Sequence, residues 1–203
     1  NSNYIARLNS DGSYDSTFVV GDGFNDTIYS LALQSTGKVI VGGYFNYYNN
    51  IDLYGGYIVR LGSDGSMDTM FGWGLNDAAM SLLVQSDDKI VVGGKFGTYY
   101  PNMYVSIGID ELIRFHSNCT FDYSFYYTDD VYNSEVYVLT LQSDNKILVG
   151  GNFYDNYLNG YNLGRFGRLN NYISKYKYVY VKFSISTAIC RSRCILAIKR
   201  QHE

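Results

Sequence analysis

The chain has one proline, one tryptophan, two histidines and three cysteines in 203 residues. With a single proline against 21 glycines, chain reversals must be built from Gly, Asn and Asp, the residues that tolerate a positive φ. Cys119, Cys190 and Cys194 form an odd set without paired spacing, so no disulfide framework is read and the redox compartment stays open. His116 and His202 are the only histidines, and neither lies in a Ser/His/Asp or Cys/His context. No catalytic residue is assigned. Cys190, Cys194 and His202 supply three zinc ligands at most, at a spacing of no standard structural site. No P-loop or phosphate-binding G-x-G-x-x-G occurs. The sequence has no run of about 18 apolar residues, so no membrane span is expected. Its opening, NSNYIARLNSDG, has neither a basic nor an apolar leader region. The chain begins without Met and inside a copy of its own repeat, which predicts a piece of a longer protein.

What is abundant is aromatic and strand-forming. There are 23 Tyr and 11 Phe, and 46% of residues are hydrophobic, a composition that favours strands joined by tight turns. Net charge is −3, unevenly spread. Seven bases against Glu203 give residues 173–203 a charge of +6, and nine bases against 18 acids leave the rest at −9. That acidic body repels a phosphate backbone, so nucleic acid is not an expected partner.

One phrase recurs three times: LQSTGKVIVGGYF from Leu33, VQSDDKIVVGGKF from Val84 and LQSDNKILVGGNF from Leu141. A second phrase recurs with it, YIARLNSDGSYDSTF, YIVRLGSDGSMDTMF and ELIRFHSNCTFDYSF, with a partial GRFGRLNN. Arg7, Arg60, Arg114 and Arg168 keep register, as do Asp15, Asp68 and Asp122 and the pairs Gly42–Gly43, Gly93–Gly94 and Gly150–Gly151. These are read as structural repeat positions. The alternating SLALQS, a short turn and the apolar KVIVGG make a β-hairpin. Its third turn residue is Gly37, Asp88 or Asn145, a set united by tolerance of a positive φ and by no side-chain chemistry. In the second turn Cys119 stands where Gly stood, which predicts a looser or strained turn.

A unit of about 54 residues with several short strands is the size of a propeller blade. The repeated phrases resemble the delta-60 repeat, a propeller-type repeat, over roughly residues 3–171. The resemblance implies an all-β fold of β-propeller blades, three full repeats and a partial fourth, in an incomplete or open propeller. The expected copies are about 3–55, 56–111 and 112–163, with a partial copy at 164–171. Residues 172–203 form a basic tail that has lost the repeat, and the abrupt change predicts a shifted reading frame. The resemblance also implies an extracellular, cell-surface or virion-associated setting.

Paired carboxylates on the SDG turns, Asp11 with Asp15 and Asp64 with Asp68, have the look of a calcium loop. They fall short of the six to eight oxygens calcium takes and are read as turn caps. Each repeat Arg is read as the partner of a repeat Asp, in its own or a neighbouring blade. No metal or cofactor is expected. The copies diverge after each Gly pair, where the loops are dense in Tyr and Asn: Tyr47, Tyr48, Tyr99, Tyr100, Tyr154 and Tyr157. Tyr gives stiff amphipathic contact area and Asn adaptable hydrogen bonding. The same enrichment follows from A+T-rich codons, so both readings stay open. The favoured function is a non-enzymatic module binding a protein or glycan through these loops, with self-association through open blade edges as a further partner mode. The alternatives are a fragment of a propeller enzyme with its site in the channel, and a purely structural module.

Overall fold

The computed structural model describes residues 4–125, 135–152 and 166–169. Within them the protein is all-β, with one 3-10 turn at Tyr123–Phe125. The first repeated phrase forms β1 (Ile28–Leu33) and β2 (Val39–Gly43), paired antiparallel. A small ribbon, β3 (Tyr47–Tyr48) with β4 (Ile51–Asp52), follows in the loop. Then β5 (Ile58–Leu61) and β6 (Met67–Met70) complete a four-stranded sheet in the order β1-β2-β5-β6. The second sheet is β7 (Ala79–Val84), β8 (Ile90–Gly94) and, beyond the ribbon β9 (Thr98–Asn102) and β10 (Val105–Gly108), β11 (Leu112–Phe115). The third is β12 (Glu135–Leu141), β13 (Ile147–Asn152) and β14 (Phe166–Leu169).

Each sheet is thus offset from the sequence copies. The Arg-bearing strand that opens one copy closes the sheet of the hairpin before it: β5 pairs β2, β11 pairs β8, and β14 pairs β13. Residues 5–14, whose Leu8 bridges Tyr14, occupy the same repeat position ahead of β1. Consecutive sheets meet through their first strands, β1 with β7 and β7 with β12. This is the blade-on-blade arrangement of an open propeller, and no closed ring forms among the described residues.

The turn chemistry explains the hairpins. In each copy the Gln N–H donates to the Lys carbonyl four residues on, at 3.0, 2.9 and 2.8 Å for Gln34, Gln85 and Gln142. The loop's third residue is left-handed: Gly37 at +79°, Asp88 at +60°, Asn145 at +61°. That is a type I turn followed by a left-handed residue. The SDG turn repeats the geometry, with Gly12, Gly65 and Cys119 at +85°, +89° and +68°. The Cys119 turn keeps both backbone bonds, His116 N–H to Thr120 O and Cys119 N–H to His116 O. It is therefore strained and not looser, and its buried side chain joins the core cluster shared by the first and second sheets.

The two glycines of each pair do different work. A Cβ on Gly43, Gly94 or Gly151 would stand 2.2, 2.1 or 2.0 Å from a carbonyl oxygen of its own hairpin, Thr27, Ala78 or Glu135. A register shift opposite the pair marks a β-bulge in all three hairpins. A Cβ on Gly42 or Gly93 would instead meet the next sheet, Ala79 at 3.2 Å or Val136 Cγ1 at 2.3 Å. The first Gly lets the next blade approach, and the second lets the bulge close. Between sheets, Ile40 packs with Ala79, Leu82, Ile90 and Val92, and Val91 packs with Val136, Leu139, Ile147 and Val149. Ser30 Oγ accepts from Leu82 N–H at 3.1 Å, and Ser81 Oγ accepts from Leu139 N–H at 3.0 Å.

Candidate functional site

Two sets of residues are candidates for a site: the strictly repeated polar groups and the divergent loops. The repeated set is consumed within the fold. Each described Arg donates from Nε to the Asp eight residues on, Arg7 to Asp15 at 2.7 Å, Arg60 to Asp68 at 2.6 Å and Arg114 to Asp122 at 2.9 Å. The same guanidinium reaches forward to the next turn: Arg7 Nη1 donates to Ser63 O, and Arg60 Nη1 to Ser117 O at 2.6 Å. The planar fork thus ties its own turn to the following one. Arg168 lies on β14, and its side chain is outside the described residues.

The glutamine of LQS, to which the sequence pattern assigned no role, belongs to this ladder. Gln34 Oε1 accepts from Arg60 at 3.1 Å, and its Nε2 donates to the carbonyls of Asp88 and Ser117, both at 3.0 Å. Gln85 Oε1 accepts from Arg114 at 3.3 Å. Gln142 Oε1 is buried with no hydrogen-bond partner among the described residues.

The carboxylates are equally committed. Asp11, Asp64 and Asn118 each accept the N–H and hydroxyl of the residue two on, Ser13, Ser66 or Thr120. An amide does this as well as a carboxylate, which is the behaviour of a turn cap. Asp15 is held down at about 2 by the Thr17 hydroxyl and N–H and by Arg7. Burial alone would raise Asp122, but the Ser124 hydroxyl and Arg114 bring it below the usual carboxylate range. Asp68 has Met70 where the others have a hydroxyl, and recruits Lys38 Nζ at 2.8 Å. His116 is an exposed residue of the Cys119 turn. Burial pushes the Cys119 thiol up to about 12. Among the described residues no three His, Cys, Asp or Glu side chains gather as a metal site.

The loops after the Gly pairs divide into a repeated scaffold and a variable surface. Asn25 Oδ1 accepts from the N–H of Asn46 and Tyr47 at 3.1 and 2.9 Å, and Asn76 Oδ1 accepts from Gly97 and Thr98, both at 2.9 Å. Phe24 bridges Tyr48 as Leu75 bridges Tyr99. The sequence signal for this clamp is G-F-N-D at 23–26 and G-L-N-D at 74–77, spaced like the Gly pairs. Tyr48 and Tyr99 therefore point inward. Tyr48 donates to the Gly65 carbonyl and packs on Phe24, Tyr99 packs on Phe115 and Phe121, and burial pushes both hydroxyls up to about 12. Tyr47 is exposed and Tyr100 half-buried, while Tyr154 and Tyr157 lie outside the described residues.

The outward aromatic surface lies instead around the 53–57 turn. Tyr54 is exposed and stacks on Trp73 at 4.7 Å and 19°. Tyr44, also exposed, meets Tyr57 at 5.6 Å. The turn is closely packed: a Cβ on Gly55 would come 2.0 Å from Trp73 O. Tyr54 is held at φ +59° and Tyr57 at +67°, conformations that bulky residues adopt only when the surroundings impose them. Burial, Tyr44 and Asp77 raise the Tyr57 hydroxyl above its ordinary range.

Among the described residues no helix is long and apolar enough to cross a membrane. No curated protein matches the chain. A family model does match, over residues 1–18, 34–71, 85–125 and 142–171, and its segments take in the repeated phrases together with the loops that follow the Gly pairs. Those segments make up more than half of the chain, which therefore belongs to the family described as "Domain of unknown function (DUF5122) beta-propeller".

Proposed function

We propose that the protein is a non-enzymatic propeller module that binds a protein or glycan on the aromatic surface of its first loop. The observation that carries this reading is the stack of exposed Tyr54 on half-buried Trp73, in a turn packed so closely that a Cβ on Gly55 would meet the Trp73 carbonyl. Stiff aromatic rings with polar edges give contact area at low entropic cost. The Tyr44–Tyr57 pair extends the surface. The commitment of the repeat carboxylates and guanidinia to caps and pairs also supports a binding role over a catalytic one, because each such group already has its partner. Within the family, the phrases LQSTGKVIVGG and SDGSYDSTF favour the narrower delta-60 type.

The test is an oligosaccharide array and a panel of candidate surface proteins probed with the labelled chain. Tyr54→Ala and Trp73→Ala should weaken binding at least about tenfold, the scale of one lost aromatic contact, at an unchanged melting temperature. Tyr14→Ala, an exposed Tyr elsewhere, should leave binding intact. Binding that survives Tyr54→Ala and Trp73→Ala would defeat this assignment of the surface.

A further inference from the structure

The internal junctions show twice what covers the face that β1 presents. Leu82 and Leu139 take the same position on β7 and β12, each against the first Gly of the preceding hairpin, and are 8% and 7% exposed. Leu31 is their equivalent on β1 and is 53% exposed, with Tyr29 and Leu33 exposed beside it. The opposite face shows the converse. Ile40 on β2 and Val91 on β8 are fully covered by the next sheet, whereas their equivalent Leu148 on β13 is 40% exposed. Val138 is exposed where Ser30 and Ser81 accept an N–H from the following sheet.

The two faces left uncovered among the described residues are therefore complementary by the repeat itself. One is a β1 surface built to receive a Gly–Gly hairpin, and the other is a Gly–Gly hairpin, β12–β13, built to be received. Residues 5–8 add a backbone reason. They stand where β5 stands in the next unit, and β5 pairs both β2 and β6. Residues 5–8 have the β6-like bridge of Leu8 to Tyr14 and no β2-like strand among the described residues. An unpaired edge beside an apolar face is a template for another chain.

We infer that a second copy of this chain docks its β12–β13 hairpin on the β1 face, in a head-to-tail contact that repeats the internal junctions. Leu31 lies against Gly150 and Leu148 of the second copy, as Leu82 lies against Gly42 and Ile40. β14 pairs the edge of β13 that residues 5–8 would use. Arg168 holds the repeat position of Arg7, so docking exchanges one strand for its own repeat equivalent. The contact is heterologous, with different patches on the two copies, and this makes it separable by mutation. It is independent of the loop surface assigned above.

Leu31→Arg disables the receiving face and leaves the hairpin face intact, while Val138→Arg does the reverse. Sedimentation over a concentration series should show the wild-type chain associating beyond its 23.0 kDa mass. Each variant alone should stay monomeric, and an equimolar mixture of the two should form a dimer and stop there. Both sites are exposed, and a circular dichroism melt checks that each variant keeps its fold. A monomeric wild type, single variants that associate as the wild type does, or a mixture that stays monomeric would each overturn the inference.

Discussion

Arg114 and Arg7 make the same bond to the same partner in two different settings. Each donates from Nε to an Asp eight residues on, and each guanidinium lies over a Phe ring, at 4.3 Å for Arg114 on Phe125 and 4.8 Å for Arg7 on Phe18. The Arg114 and Asp122 side chains are 5% and 2% exposed, whereas that of Arg7 is 38% exposed. The difference comes from what lies around them. Arg114 is enclosed in the second sheet, on β11 beside the β7–β8 hairpin whose Gln85 is bonded to it, and Arg7 belongs to the end unit whose own hairpin partner is absent among the described residues. One sequence motif therefore supplies a buried staple in the interior and a solvent-screened ion pair at the end.

The largest consequence is for stability. Removing one member of a buried, hydrogen-bonded pair leaves an uncompensated charge and costs about 3–5 kcal/mol. Breaking an exposed pair costs about 0–1 kcal/mol. Urea unfolding of Arg114→Ala and Arg7→Ala should divide accordingly, with Arg60→Ala between them. The comparison breaks if Arg7→Ala is as damaging as Arg114→Ala.

A smaller effect separates the junctions by their serines. Ser81→Ala deprives the buried Leu139 N–H of its acceptor and should lower stability by about 1–3 kcal/mol, the cost of an unsatisfied buried donor. Ser30→Ala removes the acceptor of the less buried Leu82 N–H and should cost less by the same measurement. A reversed order would show that the first junction, not the second, is the drier one.

The smallest effect is in the acid limb. Asp15, Asp68 and Asp122 all sit below the ordinary carboxylate value of 3.8 when folded, Asp15 at about 2. Depressed folded values mean that their stabilisation is complete above the unfolded value and is lost as pH falls through the folded one. The melting temperature should fall from the ordinary carboxylate range down towards pH about 2, and Asp15→Asn should flatten only a minor part of that slope. A melting temperature unchanged over that interval would contradict the assigned pairs.

The backbone of the fold was legible in the sequence, and the reason is geometric. Gly37, Asp88 and Asn145 could be read as left-handed because few residue types tolerate that conformation, and all three adopt it. Tyr57 and Glu111, also left-handed at one repeat position, could not be read, since neither type announces it and packing imposes it. The offset of the sheets from the copies was hidden for a related reason. Repetition shows that β5 and β11 are equivalent without showing which hairpin each will join. The loop tyrosines were half legible. Adjacent residues in an extended ribbon face opposite ways, so Tyr47 is exposed while Tyr48 enters the core. The Tyr54–Trp73 stack joins two units and has no local signature beyond the chain's single Trp.

The central claim is that the repeated Arg–Asp pair gains its worth from the blade packed around it. A double-mutant cycle on Arg114 and Asp122, set beside one on Arg7 and Asp15, measures that worth directly. The expected coupling is about 1–3 kcal/mol for the interior pair and clearly smaller for the solvent-screened end pair. Equal couplings, or a stronger one at Arg7, would contradict it.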